Sequence, residues 1–304
     1  MMFDVLVIGG GPAAMAAMVY FARQKRSFVV LATQLGGQMT WSSDVENYLG
    51  FHLLDGVELT RRFKAHLEDY RDAFTLKEGA LVTRVEKTPQ GFRAILETGE
   101  VYEGKTVLMA TGSQHRTLHV PGESALYGHG VTYCAVCDAP LYRDKVVFAI
   151  GGGNAAMDAA LCLEKYAKRV TIVTANADIK GDEVMRKRVL ASSKIRVETK
   201  TKVVAILGDK TLTGIKLVDA SGHERIEMGE GVCIEVGSVP SSQMVDFVAK
   251  DTRGQIIVDK TNATSVTGVW AAGDVTDVMQ KQIAVAVGEG VKAALSIIHY
   301  FQTT

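Results

Sequence analysis

The stretch Asp4-Val5-Leu6-Val7-Ile8-Gly9-Gly10-Gly11-Pro12-Ala13-Ala14-Met15 decides the fold. Its apolar run reads as a short buried strand, its three glycines as a tight turn, and its alanine-rich continuation as the start of a helix. A second copy, Val146-Val147-Phe148-Ala149-Ile150-Gly151-Gly152-Gly153-Asn154-Ala155-Ala156-Met157, repeats the plan. In such a turn the first glycine permits the bend, the third lets a pyrophosphate approach the backbone, and the alanine that follows lets helix and strand pack closely. The helix N-terminus then receives the phosphate charge. Glycines also merely punctuate turns, and a lone copy would leave that alternative standing. Two copies, each in a strand-turn-helix frame, predict two dinucleotide-binding units.

Bulk properties agree with two units. A chain of 304 residues, 47% of them hydrophobic, fills two sizeable cores. Lys and Arg total 34 and Asp and Glu total 34, with no long basic run, so the sequence lacks the electrostatic footprint for nucleic acid or an anionic membrane. The expected partners are small molecules or another protein. Residues 5–22 approach membrane-spanning length, but the glycines and Pro12 mark a buried βα unit, and no basic segment precedes it as in a signal peptide. A cytoplasmic location is expected.

The four cysteines divide into a pair and two singles. Cys162 lies in an apolar helical run and Cys233 in a strand-like run, so both read as small core residues. Cys134-Ala135-Val136-Cys137 is different, because C-x-x-C beside a βαβ pattern reads as a redox dithiol. Zinc is the competing reading, but no second Cys/His set completes four ligands, and no metal is expected.

The coarse pattern continues with a helix to about Gln24, a strand at Phe28-Val29-Val30-Leu31, a helix from about Gly56 to Tyr70, and two β runs over residues 80–110 around Thr98-Gly99. The second half repeats this order: a strand at Val170-Thr171-Ile172-Val173, a helix from about Gly181 to Ala191, and β runs from Val203 to Val236 around Ser221-Gly222. After that come the apolar strand Val269-Trp270-Ala271-Ala272-Gly273-Asp274 and a long apolar helix from about Gln282 to Tyr300, which have no counterpart in the first repeat. The economical reading returns this tail to the first domain. The predicted fold is therefore α/β, with two Rossmann-like domains: residues 1–113 with 245–304, and an inserted domain of residues 114–244.

In order along the chain, Gly9 to Ala14, Gly36-Gly37-Gln38, Glu46-Asn47-Tyr48, Ala110-Thr111-Gly112, Cys134 to Asp138, Gly151 to Ala156, Gly273-Asp274 and Lys281-Gln282-Ile283 resemble the low-molecular-weight thioredoxin reductases and the reductase part of the alkyl hydroperoxide reductase flavoprotein. The resemblance covers essentially the whole chain. It implies three-layer ββα domains, FAD in the first and NAD(P)H in the second. On it, Gly9, Gly11, Pro12, Ala13 and Ala14 hold the FAD pyrophosphate, Gly37, Gln38, Asn47, Ala110, Thr111 and Gly112 line the flavin site, and Gly273-Asp274 meets the ribityl or phosphate region. Gln282 and Ile283 lie near the isoalloxazine. Singly, each has an ordinary alternative: a turn for Gly36-Gly37, a loop position for Asn47, a helix N-cap for Asp274. No acid stands about 20 residues after Gly11 to hold the adenosine ribose, since Leu31-Ala32-Thr33-Gln34 occupies that region.

The resemblance further implies that Gly151, Gly153, Asn154, Ala155 and Ala156 bind NAD(P)H, that Cys137 faces the flavin, that Cys134 attacks the acceptor disulfide, and that Asp138 exchanges the protons. A turn or N-cap before Pro140 is the alternative for Asp138. NADPH-using members carry His-Arg-Arg-x-x-x-Arg after the second strand of the nucleotide module. Here the run is Thr174-Ala175-Asn176-Ala177-Asp178-Ile179-Lys180, so only Lys180 keeps a charge for the 2′-phosphate. NADH-using relatives place a glutamate at the position of Thr174. Thr174 and Asn176 can hydrogen-bond a ribose, and NADH is the expected donor.

The leading expectation is a reductase that passes electrons from NAD(P)H through FAD and the Cys134–Cys137 disulfide to a separate thioredoxin-like or glutaredoxin-like protein. With the sequence opening on its first strand, a separate protein is the expected acceptor. A homodimer is expected from the resemblance alone. The competing readings are a small-molecule dithiol oxidase, a flavoprotein reduced by another donor, and a nucleotide-binding sensor without turnover.

Overall fold

The computed structural model describes residues 2–41, 45, 47–133 and 135–303, with the side chains of Trp41, Val136 and Cys137 excepted. The chain divides into two compact units, Met1–Gln114 with Val239–Thr304, and His115–Ser238. The first unit resumes six residues earlier than Val245, the boundary expected from composition. The reason is local: the Ser241 amide donates to the Gly112 carbonyl over 2.9 Å, and the Thr111 hydroxyl donates to the Ser241 carbonyl over 2.5 Å. These bonds tie the returning chain to the end of the strand it left.

In the first unit β1 (Met2–Ile8) leads through the first fingerprint into α1 (Pro12–Arg23), then β2 (Phe28–Ala32), α2 (Gly56–Glu68), β3 (Thr75–Glu78), β4 (Val82–Thr88), β5 (Gly91–Leu96) and β6 (Val101–Met109). The sheet order is β3-β2-β1-β6-β5-β4, and the strand Val269–Ala271 pairs in parallel with the end of β6. Strands β3, β2, β1 and β6 are parallel, whereas β4, β5 and the start of β6 form an antiparallel meander. The period-two alternation of a strand separates two cores. Val5 and Val7 pack with Phe21, Ala293 and Ile297 on the helical face. Leu6 and Ile8 pack with Val85, Phe92 and Ala94 under the meander. Both faces being covered explains why β1 reads as a continuous apolar run.

Residues 80–110 hold three strands rather than two runs, because a two-residue loop, Pro89-Gln90, joins the paired Thr88 and Gly91. The edge strand β3 escaped the sequence reading because Thr75-Leu76-Lys77-Glu78 carries little apolar signal.

The second unit repeats the design. Its parallel sheet runs Ile195–Glu198, Arg169–Val173, Val146–Ile150, Gly231–Ile234, Val131–Thr132, and an antiparallel meander comprises Thr201–Gly208, Leu212–Asp219 and Glu224–Met228. Val147 and Ala149 face the helix Asn154–Leu163, while Phe148 and Ile150 face the meander core of Ile206, Ile215 and Leu217. The run from Val203 to Val236 thus splits between two sheets: Gly231–Ile234 is buried throughout, as suits a central parallel strand. The expected turn at Ser221-Gly222 is present, with Asp219 Oδ1 accepting from the Ser221 amide over 2.8 Å.

The last helix, Ile283–Thr303, is long and apolar enough by composition to cross a bilayer. Its packing is that of a core helix. Ala293, Ala294 and Ile297 are fully buried, and a Cβ on Gly290 would stand 2.0 Å from the Ala13 carbonyl oxygen, so only glycine allows this approach to α1.

Candidate active site

The two fingerprints place their glycines in the same three environments. At the first position, a Cβ on Gly9 would lie 2.1 Å from the Ala110 carbonyl oxygen and one on Gly151 would lie 2.1 Å from that of Glu235, with positive φ at both. At the second, a Cβ would strike the turn after the neighbouring strand, Gln34 in one unit and Thr174 with Asn176 in the other. At the third position, Gly11 and Gly153, a Cβ would meet nothing within 4 Å. Protein packing therefore dictates the first two glycines and leaves the third to ligand access.

Helix capping marks the same two places. Neither helix behind a fingerprint has a side-chain cap at its N-cap glycine, Gly11 or Gly153. By contrast, Asp55 caps α2 through the Glu58 amide and Asp182 caps the helix Glu183–Ala191 through the Met185 amide. Uncapped amides carry the positive end of the helix dipole, which suits an anion. Ala14 and Ala156 are fully buried. They serve close packing.

In the first unit a cleft of about 440 Å³ opens at the strand ends, lined by Gly9, Gly11, Pro12, Ala13, Gly37, Gln38, Ala110, Thr111, Gly112, Gly273, Asp274, Gln282 and Ile283. The structure thus gathers at one cleft residues that the sequence spreads over nearly the whole chain. Gln38 Nε2 donates to the Ser113 carbonyl and hydroxyl oxygens, each over 2.8 Å. Asn47 Nδ2 donates to Gln282 Oε1 over 3.0 Å, which brings Asn47 to the cleft margin. Asp274 is the one acid among the described lining residues. Burial raises its pKa, Lys281 opposes that shift, and Glu289 adds to it. Its carboxylate makes no hydrogen bond within the described residues, leaving its acceptors for a ligand. The end near Thr33 and Gln34 is bordered by Ala80, Leu81 and Val82, with no acid among the described lining residues, while the nearby Glu78 carboxylate accepts from the Leu35 amide over 3.1 Å.

These features fit FAD: open space over Gly11, uncapped amides for the pyrophosphate, and a lone carboxylate for hydroxyls. Sequence reasoning did not single out Ser113, Ser241, Lys281 or Glu289. Lys281 Nζ donates to the carbonyls of Asp274 over 3.1 Å and Thr276 over 2.7 Å, and burial lowers its pKa. Its signal was present in Lys281-Gln282-Ile283 but carried no geometry.

In the second unit Thr174, Asn176 and Lys180 converge on Gly152. The buried Thr174 hydroxyl accepts from the Asn176 amide over 3.2 Å, and the Lys180 amide donates to the Gly152 carbonyl over 2.8 Å. Asn154 Oδ1 accepts from the Asp182 amide over 2.7 Å, closing the same loop onto the fingerprint. Arg186, absent from the sequence reading, pairs with Asp178 at 2.9 Å.

Cys134 and Glu46 lie outside the described residues. Cys137 belongs to the single helical turn Ala135–Asp138. Asp138 makes no side-chain cap, although its negative charge helps raise the pKa values of the Tyr142 phenol and the Cys233 thiol, each shifted mainly by burial. Cys162 and Cys233 are both buried, in keeping with core positions. Glu235 comes just after the end of the strand Gly231–Ile234, its carboxylate 3.8 Å from the Cys233 sulfur, and burial pushes its pKa up to about 8. No group of metal-ligating side chains occurs among the described residues.

Comparison with known proteins places these features in context. The profile of the pyridine nucleotide-disulphide oxidoreductase family matches residues 3–290. A component of the alkyl hydroperoxide reductase of Staphylococcus aureus is 37% identical over 301 residues, covering 98% of this chain and 59% of that protein. The chain therefore spans about three fifths of the length of the curated relatives it matches. Thioredoxin reductase of Lactococcus lactis superposes with a TM-score of 0.92 at 31% identity over 99% of this chain and 100% of its own. The thioredoxin reductase of T. acidophilum gives 0.90 at 37% identity over 99% of both chains.

Proposed function

The chain belongs to the pyridine nucleotide-disulphide oxidoreductase family, and from that premise we propose that it is an FAD-dependent disulfide reductase carrying electrons from NAD(P)H to a thioredoxin-like protein. The observation that carries this reading is the shared build of the two fingerprints. Each unit offers an uncapped helix N-terminus behind a third glycine with open space over it. Family membership implies FAD and a pyridine nucleotide for these two places.

FAD, when bound, supplies two-electron transfer between nicotinamide and disulfide. The chain's residues do the rest. Gly11, Pro12 and Ala13 would hold the pyrophosphate, Asp274 would accept from hydroxyls, and Gln282 and Ile283 would lie on the flavin side of the cleft. The reduced Cys134 thiolate attacks the acceptor S–S bond, joining one acceptor sulfur and releasing the other as thiolate. Cys137 then attacks Cys134, which frees the second acceptor thiol and restores the Cys134–Cys137 disulfide. Two electrons leave with the acceptor, and Asp138 holds the proton taken from and returned to the thiols.

NADH is the proposed donor, because Ala175 and Asn176 stand where NADPH-using members carry arginines. Thr174 and Asn176, at Gly152, are suited to ribose hydroxyls. A homodimer in the cytoplasm completes the proposal. The test is anaerobic titration of the yellow protein with NADH and with NADPH, followed by candidate thioredoxins. Rapid bleaching by NADH and colour recovery on adding an oxidised thioredoxin support the reading. Bleaching by neither nucleotide points to a dithiol oxidase or to another donor, and a colourless protein that takes up no FAD overturns the reading.

A further inference from the structure

The Gly273–Thr276 turn presents Asp274, the one acid among the described residues that line the cleft, and a buried carboxylate from the last helix holds it. Glu289 is only 7% exposed. Its Oε2 accepts from the Gly273 amide over 2.9 Å and lies 3.2 Å from the Thr276 hydroxyl oxygen. That hydroxyl also stands 2.8 Å from the Gly273 carbonyl, so its one hydrogen serves one acceptor at a time. From the other side the Lys281 ammonium donates to the Asp274 and Thr276 carbonyls. Gly273 has a φ of +78°, and a Cβ there would lie 3.2 Å from the Ala13 Cβ, which puts the turn against the N-terminus of α1.

A buried carboxylate is costly unless it is paired or hydrogen-bonded, and a hydrophobic residue would fill this helix position more cheaply. Glu289 is also the acid that raises the pKa of Asp274 by its charge. Its presence therefore works against the ionisation of the residue beside it, and needs a reason other than charge balance.

We propose that Glu289 is a positioning residue of the cofactor cleft: through the Gly273 amide it fixes the turn that aims Asp274 at FAD. This rests on the reading of the cleft as an FAD site. Reach, not charge, is what the role demands. The glutamine of Glu289→Gln keeps the side-chain length and an acceptor for the Gly273 amide, whereas Glu289→Asp keeps the charge and falls one methylene short.

The experiment is FAD titration of the full-length apoprotein, followed by flavin fluorescence quenching, with thermal unfolding of the apo form recorded alongside. Glu289→Gln should bind FAD within about threefold of the wild type, and Glu289→Asp at least tenfold more weakly. Equal binding by Glu289→Asp and wild type overturns the inference, and so does a Glu289→Gln loss as large as that of Glu289→Asp. If Glu289→Asp does not fold, Thr276→Val decides: binding about fivefold weaker supports the role, and unchanged binding overturns it. A wild type that takes up no FAD overturns the cofactor reading itself, whereas a wild type that binds FAD with variants indistinguishable from it removes only Glu289.

Discussion

Asn47 and Gln282 meet across a 3.0 Å hydrogen bond although 235 positions separate them. The bond joins the connection between β2 and α2 to the segment that opens the last helix. It closes the discontinuous unit at the margin of its cleft, beside Gln282 and Ile283, which line it. If the bond holds the cleft closed around FAD, Asn47→Ala should weaken FAD by about fivefold, the value of one exposed hydrogen bond of about 1 kcal/mol. Gln282→Ala should weaken it more, since that side chain also lines the cleft. The double variant should be less than additive by about 0.5 kcal/mol or more, which a double-mutant cycle of FAD affinities reads directly.

Glycines 9 and 11 should fail in opposite ways when methylated. Gly9→Ala drives a Cβ to 2.1 Å from the Ala110 carbonyl oxygen at positive φ, and should destabilise the apo fold by about 3 kcal/mol or more. Gly11→Ala meets no protein atom within 4 Å and has an ordinary φ of −74°. Its fold should change by less than about 1 kcal/mol. FAD affinity should nevertheless fall at least tenfold, because the methyl occupies the approach to the helix amides. Thermal unfolding of the apo forms beside FAD titration separates the two, and a Gly11→Ala protein with undiminished affinity would remove the pyrophosphate from this turn.

What the sequence made legible follows from how the signals arise. Turns dictated by backbone contact, as at Gly9 and Gly151, leave a fixed residue type, so both βα units were readable. The return of Val269–Ala271 to the first sheet was readable because the strand is wholly apolar and had no place in the repeat. Polar edge strands such as β3 and Ile195–Glu198 carry no such mark, since pairing rather than burial makes them strands. Glu289 and Ser113 were illegible for a different reason. Their partners, the Gly273 amide and the Gln38 side chain, lie at separations of 16 and 75 residues, and nothing in a helix or loop pattern announces a carboxylate or hydroxyl turned inward.

The dithiol assignment makes a kinetic prediction. Hydride transfer from nicotinamide precedes any sulfur chemistry, so Cys134→Ser and Cys137→Ser should each abolish disulfide turnover and leave flavin bleaching by NAD(P)H largely intact. Stopped-flow bleaching and steady-state turnover measure the two halves. Wild-type turnover in both variants would take Cys134 and Cys137 off the electron route.

Glu235 should give the protein a pH signature of its own. Its carboxyl titrates at about 8 when folded against an ordinary value of 4.5. The folded chain thus keeps a proton that the unfolded chain releases, and stability should decline as pH rises from about 4.5 to 8, then level off. At about 1.4 kcal/mol per pKa unit, discounted for a side chain that is not fully enclosed, the decline is on the order of 2 kcal/mol. Glu235→Gln should flatten the melting temperature across that window. A variant with the slope of the wild type would assign the titration to another group.

Cofactor choice carries the last prediction, where the second unit departs from NADPH-using members. Ala175 and Asn176 are exposed on the loop that Thr174 and Lys180 anchor to Gly152, so arginines placed there would reach solvent without disturbing the core. The wild type should be reduced by NADH at least as fast as by NADPH. The double substitution Ala175→Arg with Asn176→Arg adds two charge-assisted hydrogen bonds to a 2′-phosphate. At about 1.5 kcal/mol each, they should shift the preference toward NADPH by roughly a hundredfold. Lys180, whose backbone is already fixed beside the fingerprint, supplies part of that attraction, so the two arginines should gain less with Lys180 in place than in a Lys180→Ala background. Rates of anaerobic flavin reduction by the two nucleotides give the ratio. A wild type with a tenfold or larger preference for NADPH would show that a different set of cations reads the 2′-phosphate in this chain, with Lys180 and Lys200, whose amide donates to the Asn176 carbonyl over 2.8 Å, the first to test.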